Sequence, residues 1–211
     1  MGYRLLFILL LFFSIHNSGN AQSRIEIQTG DFIFLDLDCG PLCDAIESVT
    51  QSYKNQHFSH IGLVYKRNDT TFLIEALGKG VRLTPIKKFL ANSKKPAYVG
   101  RVKSSNEKLI PGAIEFCLQQ LGTPYDDQFI YDNGKYYCSE LIYDAFKAAN
   151  SGKPFFQLFP MTYKKPGSTD FFPVWVGYFQ KLGMPIPEGK PGCNPGGIST
   201  SNKIEILGIY K

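Results

Sequence analysis

Histidine and tryptophan are scarce in this chain, at three and one of 211 residues. Two of the histidines, His57 and His60, lie close together, and the third, His16, stands near the N-terminus. Cys39 and Cys43 have no second close cysteine pair or nearby histidine pair to complete four ligands, so the spacing is poor for a zinc site. Cysteine is also thin, at five residues: Cys39, Cys43, Cys117, Cys138 and Cys193. That is too few for the disulfide framework of a small secreted scaffold, and the odd count leaves at least one free thiol. Charge of one sign is never concentrated. The formal net charge is +5, but the lysines are scattered or paired, as at Lys87-Lys88 and Lys164-Lys165. Such a surface argues against a nucleic-acid partner. Past the N-terminus there is no long apolar run, which argues against a membrane-spanning helix in the body of the chain.

What is present begins with a leader. A short segment bearing Arg4 precedes the apolar stretch Leu5 to Ile15, and small residues follow, with Gly19 and Ala21 spaced for cleavage after Ala21. This is the pattern of a secretory signal peptide over residues 1–21. The expectation is a periplasmic or secreted protein whose residues 22–211 form one domain with a substantial core.

The body alternates strand and helix signals. Phe32 to Leu35 reads as a buried strand, and Pro41, Leu42, Ala45, Ile46 and Val49 as a helix with proline at its start. Cys39 and Cys43, four apart, would share a helix face, where a disulfide is awkward. They remain a candidate redox pair. His60 to Tyr65 and Thr71 to Ala76 read as two strands of a hairpin around Asn68-Asp69. Val81 to Leu83, Ala97 to Val102 and Lys203 to Tyr210 read as further strands. Pro85 to Leu90 reads as a short helix. Pro111 to Leu121 has the period of a longer one, with Ile114, Cys117, Leu118 and Leu121 inward and Gly122 as its stop. From Pro154 the chain turns aromatic, then rich in proline and glycine, with a helical stretch near Val174 to Leu182. That region either shapes a cleft or covers the core.

One stretch organises the rest. Tyr136-Tyr137-Cys138-Ser139-Glu140-Leu141-Ile142 runs from a loop into an amphipathic helix carrying Leu141, Ile142, Ala145, Phe146 and Ala149 on one face. A thiol at a helix N-terminus meets unpaired backbone N–H groups and the positive end of the helix dipole, both of which favour thiolate over thiol. Cys138 is therefore a candidate nucleophile, the alternative being a core cysteine at a buried helix start. A thiol nucleophile needs a base, and the base needs a group that orients it. His60 is the better candidate base, since His57 lies in a polar loop. Glu75, a carboxylate between Ile74 and Ala76 in an apolar strand, needs a partner if buried. With a turn centred near residues 67–69, His60 lies roughly opposite Glu75. A slip of one residue would place the two on different faces.

The blocks Phe58-Ser59-His60-Ile61-Gly62, Ile74-Glu75-Ala76 with Gly80-Val81, Gly122-Thr123-Pro124-Tyr125 and Tyr136-Tyr137-Cys138-Ser139-Glu140-Leu141 resemble, in that order, the signature blocks of YiiX/YebB-like cysteine hydrolases. These form the circularly permuted branch of the NlpC-type papain-like superfamily. The resemblance implies an α+β, circularly permuted papain-like fold: an antiparallel, barrel-like sheet bearing the histidine, packed against helices of which one bears the cysteine. It implies Cys138 as nucleophile, His60 as general base and acid, Glu75 as the orienting residue, and Tyr125 as a residue that lines the cleft or supports the oxyanion. It implies no metal and no organic cofactor. The implied substrates are amides: a peptide or cell-wall fragment, or alternatively an acyl-lipid or N-acylated small molecule, with a peripheral lipid contact in the latter case. A binding module on the same fold, without turnover, is the alternative from another class.

Overall fold

In a computed structural model of the protein, residues 25–210 are described; residues 1–24, which hold the expected leader and cleavage site, and Lys211 lie outside the described residues. In chain order the elements are β1 (Phe32–Leu35), α1 (Pro41–Ser48), β2 (His60–Arg67), β3 (Thr70–Leu77), β4 (Gly80–Pro85), α2 (Ile86–Leu90), β5 (Tyr98–Val102), α3 (Ile110–Gln119), α4 (Cys138–Ala149), β6 (Phe159–Pro160), α5 (Pro173–Leu182), β7 (Pro191–Gly192), α6 (Pro195–Ser199) and β8 (Ile204–Ile209). Six strands form one antiparallel sheet in the order β4-β3-β2-β1-β5-β8, with β4 and β8 at its edges. β6 and β7 pair separately.

The central strands are apolar at consecutive positions because both faces of the sheet are covered. On one face Phe32, Phe34, Ile61, Leu63, Ile74 and Ala76 meet Leu141, Ile142, Ala145 and Phe146 of α4. On the other, Ile33, Leu35, Val64, Leu73 and Val99 pack with Phe89 of α2. α4 earns its place through the stripe legible in the sequence, and α3 lies alongside it. There Gly112 faces Ala149, and a Cβ at 112 would stand 3.2 Å from the alanine methyl. Beneath β1, the buried Asp31 accepts from Arg101 Nε at 2.7 Å and from Arg101 Nη2 at 2.8 Å. This fork-to-carboxylate pair fixes the start of β1 against β5.

Several expectations are corrected. Cys39 and Cys43 are joined in a disulfide, with their Cα atoms 5.4 Å apart. Only Cys43 is helical. Gly40, with φ 66°, turns the chain just before Pro41, so Cys39 escapes the helix geometry that would have held the two sulfurs apart. Leu121 is exposed rather than inward, because α3 ends at Gln119 and the apolar stripe ends with it. The hairpin is tighter than read: Arg67 pairs with Thr70 across Asn68-Asp69. The aromatic segment divides. Phe155 and Phe156 join the main core beside Phe146, whereas Tyr163, Trp175 and Phe179 form a cluster of their own.

Gly80 positions the segment that leads to Tyr125. Its φ is 141°, and a Cβ there would fall 2.1 Å from the carbonyl oxygen of Thr123. That carbonyl accepts from Val81 N, and Gly122 N donates back to Val81 O, both at 2.9 Å. Replacing Gly80 with alanine is expected to destabilise the protein by ~2 kcal/mol or more, since strain and a backbone clash coincide. Chemical denaturation would show this as a lower midpoint with an unchanged slope; an unchanged midpoint would contradict the docking described.

Candidate active site

β2 begins at His60 and α4 begins at Cys138, so both side chains stand at element ends. Tyr137, in extended conformation, precedes the cysteine and caps the helix, leaving the Cys138 N–H outside the intrahelical ladder. The ladder pairs Leu63 with Ile74, and continuing it places Glu75 abreast of Gly62. His60 and Glu75 are therefore diagonal neighbours on one face, not directly opposite as the turn had suggested. The diagonal suffices: His60 Nε2 and Glu75 Oε2 are 2.6 Å apart, with the two side chains 1% and 0% exposed. With Nε2 engaged, Nδ1 is the ring nitrogen left for a second partner, and the neighbouring Cys138 favours the charged ring. The structure thus joins His60 to Glu75 and sets Cys138 near enough to bear on the charge of the ring.

Two partners of Glu75 escaped the sequence reading. Thr84 Oγ1 donates to Glu75 Oε1 at 2.6 Å, and Arg82 Nε donates to the same oxygen at 3.0 Å. Arg82 lies directly across the ladder from Glu75, joined by the two-residue connection Gly78-Lys79. That short connection between two strand patterns was the available signal. Phe89 was also missed. Its ring lies 5.4 Å from that of His60 at 34°, and Gly62 makes room for it, since a Cβ at 62 would be 2.8 Å from Phe89.

The electrostatics follow from this arrangement. Burial works against a charge on His60, but the proximity of Cys138 and the hydrogen bond the ring donates to Glu75, and then the charges of both, push it up to about 9. Burial also opposes charge on Glu75, but His60, Thr84 and Arg82 together hold it below the ordinary carboxylate range. Glu140, two residues past Cys138, goes the other way: burial pushes its carboxyl up to about 8, although Asp132 N donates to it at 3.0 Å.

The signs of these shifts give a stability profile. His60, raised when folded, adds stability that is fully present below its unfolded value near 6.5 and lost as pH rises through about 9. Glu75, lowered when folded, adds stability that is present above about 4.5 and lost as pH falls below it. Glu140, raised when folded, costs stability progressively as pH rises from about 4.5 to about 8. Thermal melting should therefore be highest near pH 4.5, decline towards 6.5 and more steeply above it, and fall again on the acid side. A profile flat from pH 6.5 to 9 would contradict the burial of this histidine as a charged group.

Cys138 opens onto a cleft of about 260 Å³. Its lining includes Tyr125, Phe129 and Tyr137, Ile46 of α1 and Val49 just past it, and Phe159, Met161, Tyr163 and Trp175. Tyr125 is among the residues that line this cleft; burial first, and then the neighbouring charge of Cys138, keep its phenol protonated. The residues flanking the cysteine hold the far wall. Ser139 Oγ donates to Cys193 O at 3.0 Å, and Cys193 N donates to Tyr137 Oη at 3.2 Å. Cys117 sits fully buried away from this cleft, in the core.

With that geometry in view, comparison with known proteins decides the family. Residues 26–207 match the permuted papain-like amidase enzymes of the YaeF/YiiX, C92 family. The chain belongs to this family. An uncharacterised protein, YiiX of Escherichia coli strain K12, is 31% identical over 128 residues, and that match spans 58% of this chain and 58% of YiiX. A crystal structure described as metalloprotein yiiX from Escherichia coli O157:H7 superposes with a TM-score of 0.68 at 24% identity, covering 85% of this chain and 96% of that one. The second likeness bears on fold. Membership in the YaeF/YiiX family explains why the histidine strand precedes the cysteine helix in the chain, and it supports a cysteine-peptidase or amidase type of activity.

Proposed function

We propose that this protein is an exported cysteine amidase that cleaves a peptide amide, such as one in a cell-wall fragment, through an acyl-enzyme. The observation that carries the reading is the 2.6 Å contact of buried His60 Nε2 with Glu75, beside a Cys138 that lines the cleft. In this scheme the thiolate of Cys138 attacks the carbonyl carbon. The Cys138 N–H, with Tyr125 as a protonated phenol donor, stabilises the oxyanion. His60, charged and oriented by Glu75, gives its proton to the leaving amine, then takes one from the water that clears the thioester. Arg82 and Thr84 keep Glu75 ionised throughout. Export rests on the leader sequence at residues 1–21.

A metal belongs to the description of the Escherichia coli O157:H7 relative. Among the described residues of this chain, no group of three His, Cys, Asp or Glu gathers as metal ligands would, so no step is routed through one. A second reading, an N-acyl or acyl-lipid substrate, is favoured by the apolar wall of Ile46, Val49, Phe129, Phe159 and Met161. Incubating the purified protein with cell-wall peptides and with acylated amides, followed by mass spectrometry, tests both. Cleavage of a peptide amide with an acyl adduct on Cys138 is the expected result. Cleavage of the acylated amide alone would favour the second reading, and neither cleavage nor adduct would leave a binding module.

A further inference from the structure

Two donors in the cleft wall have nothing to bond. Tyr163 Oη and Trp175 Nε1 are buried without a hydrogen-bond partner among the described residues, and the tyrosine and tryptophan are only 2% and 3% exposed. Buried polar groups are rarely left so, because each forfeits its hydration for nothing in return. Both residues line the cleft that holds Cys138. They come from different segments, Tyr163 from the loop after β6 and Trp175 from α5, and their rings meet edge to face at 5.1 Å. The backbone at 163 is held on both sides: its N–H donates to Glu188 Oε2 at 2.9 Å and its carbonyl accepts from Phe172 N at 3.1 Å. The tyrosine is thus a fixed fixture of the wall rather than a loose side chain.

We infer that Tyr163 and Trp175 form a recognition subsite for a second, uncleaved carbonyl of the substrate, so that this cleft selects peptide-like chains over plain acyl chains. An indole N–H only donates, so the group recognised is an acceptor. It is also uncharged. Burial keeps the Tyr163 phenol protonated, and the nearby carboxylates of Asp126 and Glu188 add to this while repelling an anion. A neutral amide carbonyl satisfies both conditions; the end of a hydrocarbon chain satisfies neither. Because both donor atoms are buried on residues that line the cleft, a carbonyl must part the wall locally to reach them, and the unmet hydrogen bonds supply the drive to do so.

This inference rests on the amidase reading, and its test separates the two. Three fluorogenic anilides serve as probes: N-acetylalanyl, N-acetyl-dialanyl, and 2-methylpentanoyl, the hydrocarbon isostere of the first. Tyr163→Phe is expected to lower kcat/KM on the acetylated peptides about tenfold, through KM, while leaving the isostere unchanged. Trp175→Phe should act in the same direction. Melting of Tyr163→Phe should not fall, because the removed hydroxyl has no partner to lose. Equal effects on peptide and isostere, no effect on either, or a lowered melting temperature that marks an internal structural bond would each overturn the subsite. If no anilide is turned over by the wild type, the amidase reading fails by itself. The subsite is then read by calorimetric titration of N-acetyl-dialanyl amide, whose binding should weaken about tenfold in Tyr163→Phe and whose equal binding to both proteins would refute it.

Discussion

Cys138→Ala is expected to reduce amide hydrolysis by about 10⁴-fold or more while leaving the protein folded. The reason is that no other group can replace the sulfur. Cys117 is sealed in the core, and Cys39 and Cys43 are joined to each other. Cys193 lines the same cleft, but burial pushes its thiol far above the ordinary range and so keeps it protonated. Structural loss should be small. The side chain removed is one sulfur at a helix start, and deleting so few atoms costs about 1 kcal/mol. His60→Gln should approach the same loss of activity, because an attacking thiolate and a proton for the leaving amine both depend on that ring. Losses from the two variants should not add, since the two groups act as one unit. Steady-state kinetics on a cleaved amide, read beside thermal melts, check this. A Cys138→Ala protein that keeps a tenth of its activity would reject the sulfur as nucleophile.

Glu75→Gln carries the second large effect, and it differs by acting on stability as well as on rate. The carboxylate sits between His60 on one oxygen and Thr84 and Arg82 on the other, with no exposure to water. An amide in its place cannot balance the charge on His60 and leaves Arg82 without its ion partner. Breaking one side of a buried pair costs about 3 kcal/mol, which urea titration would resolve. On the kinetic side kcat should fall by about 10²–10⁴-fold, as an unheld imidazole loses both orientation and charge. The alkaline limb of the pH–rate profile, set by deprotonation of His60 near 9 in the native protein, should move to lower pH. Arg82→Ala should do less, because that side chain is 40% exposed and water can replace it. An alkaline limb that stays in place in Glu75→Gln would separate Glu75 from the chemistry, whatever happened to stability.

How far the sequence could be read depended on the range of the contact. α4 was visible because its apolar residues recur at a period set by helix geometry alone. The strands of His60 and Glu75 were visible for the same reason, as apolar runs broken by a turn. Their relative placement was not, because a register shifted by two residues turns direct opposition into a diagonal. The Cys39–Cys43 bond was misjudged for a related reason: where α1 begins depends on Gly40 adopting a positive φ, which composition does not state. Phe89 beneath His60 and Cys193 between Tyr137 and Ser139 are contacts across 29 and more residues, and no local pattern announces them. The cleft is the extreme case. Its walls come from α1, the Tyr125 loop, the β6 loop, α5 and the segment before α6, so the sequence showed aromatic residues without showing what they surround.

The central claim is that His60 sustains Cys138 as a reactive thiolate. Labelling with iodoacetamide at neutral pH, followed by peptide mass spectrometry of the wild type and of His60→Ala, tests it most directly. Rapid modification confined to Cys138 in the wild type, and lost in His60→Ala, is the predicted result. Equal labelling of Cys138 in both proteins, or label that falls on Cys117 or Cys193 instead, would contradict it.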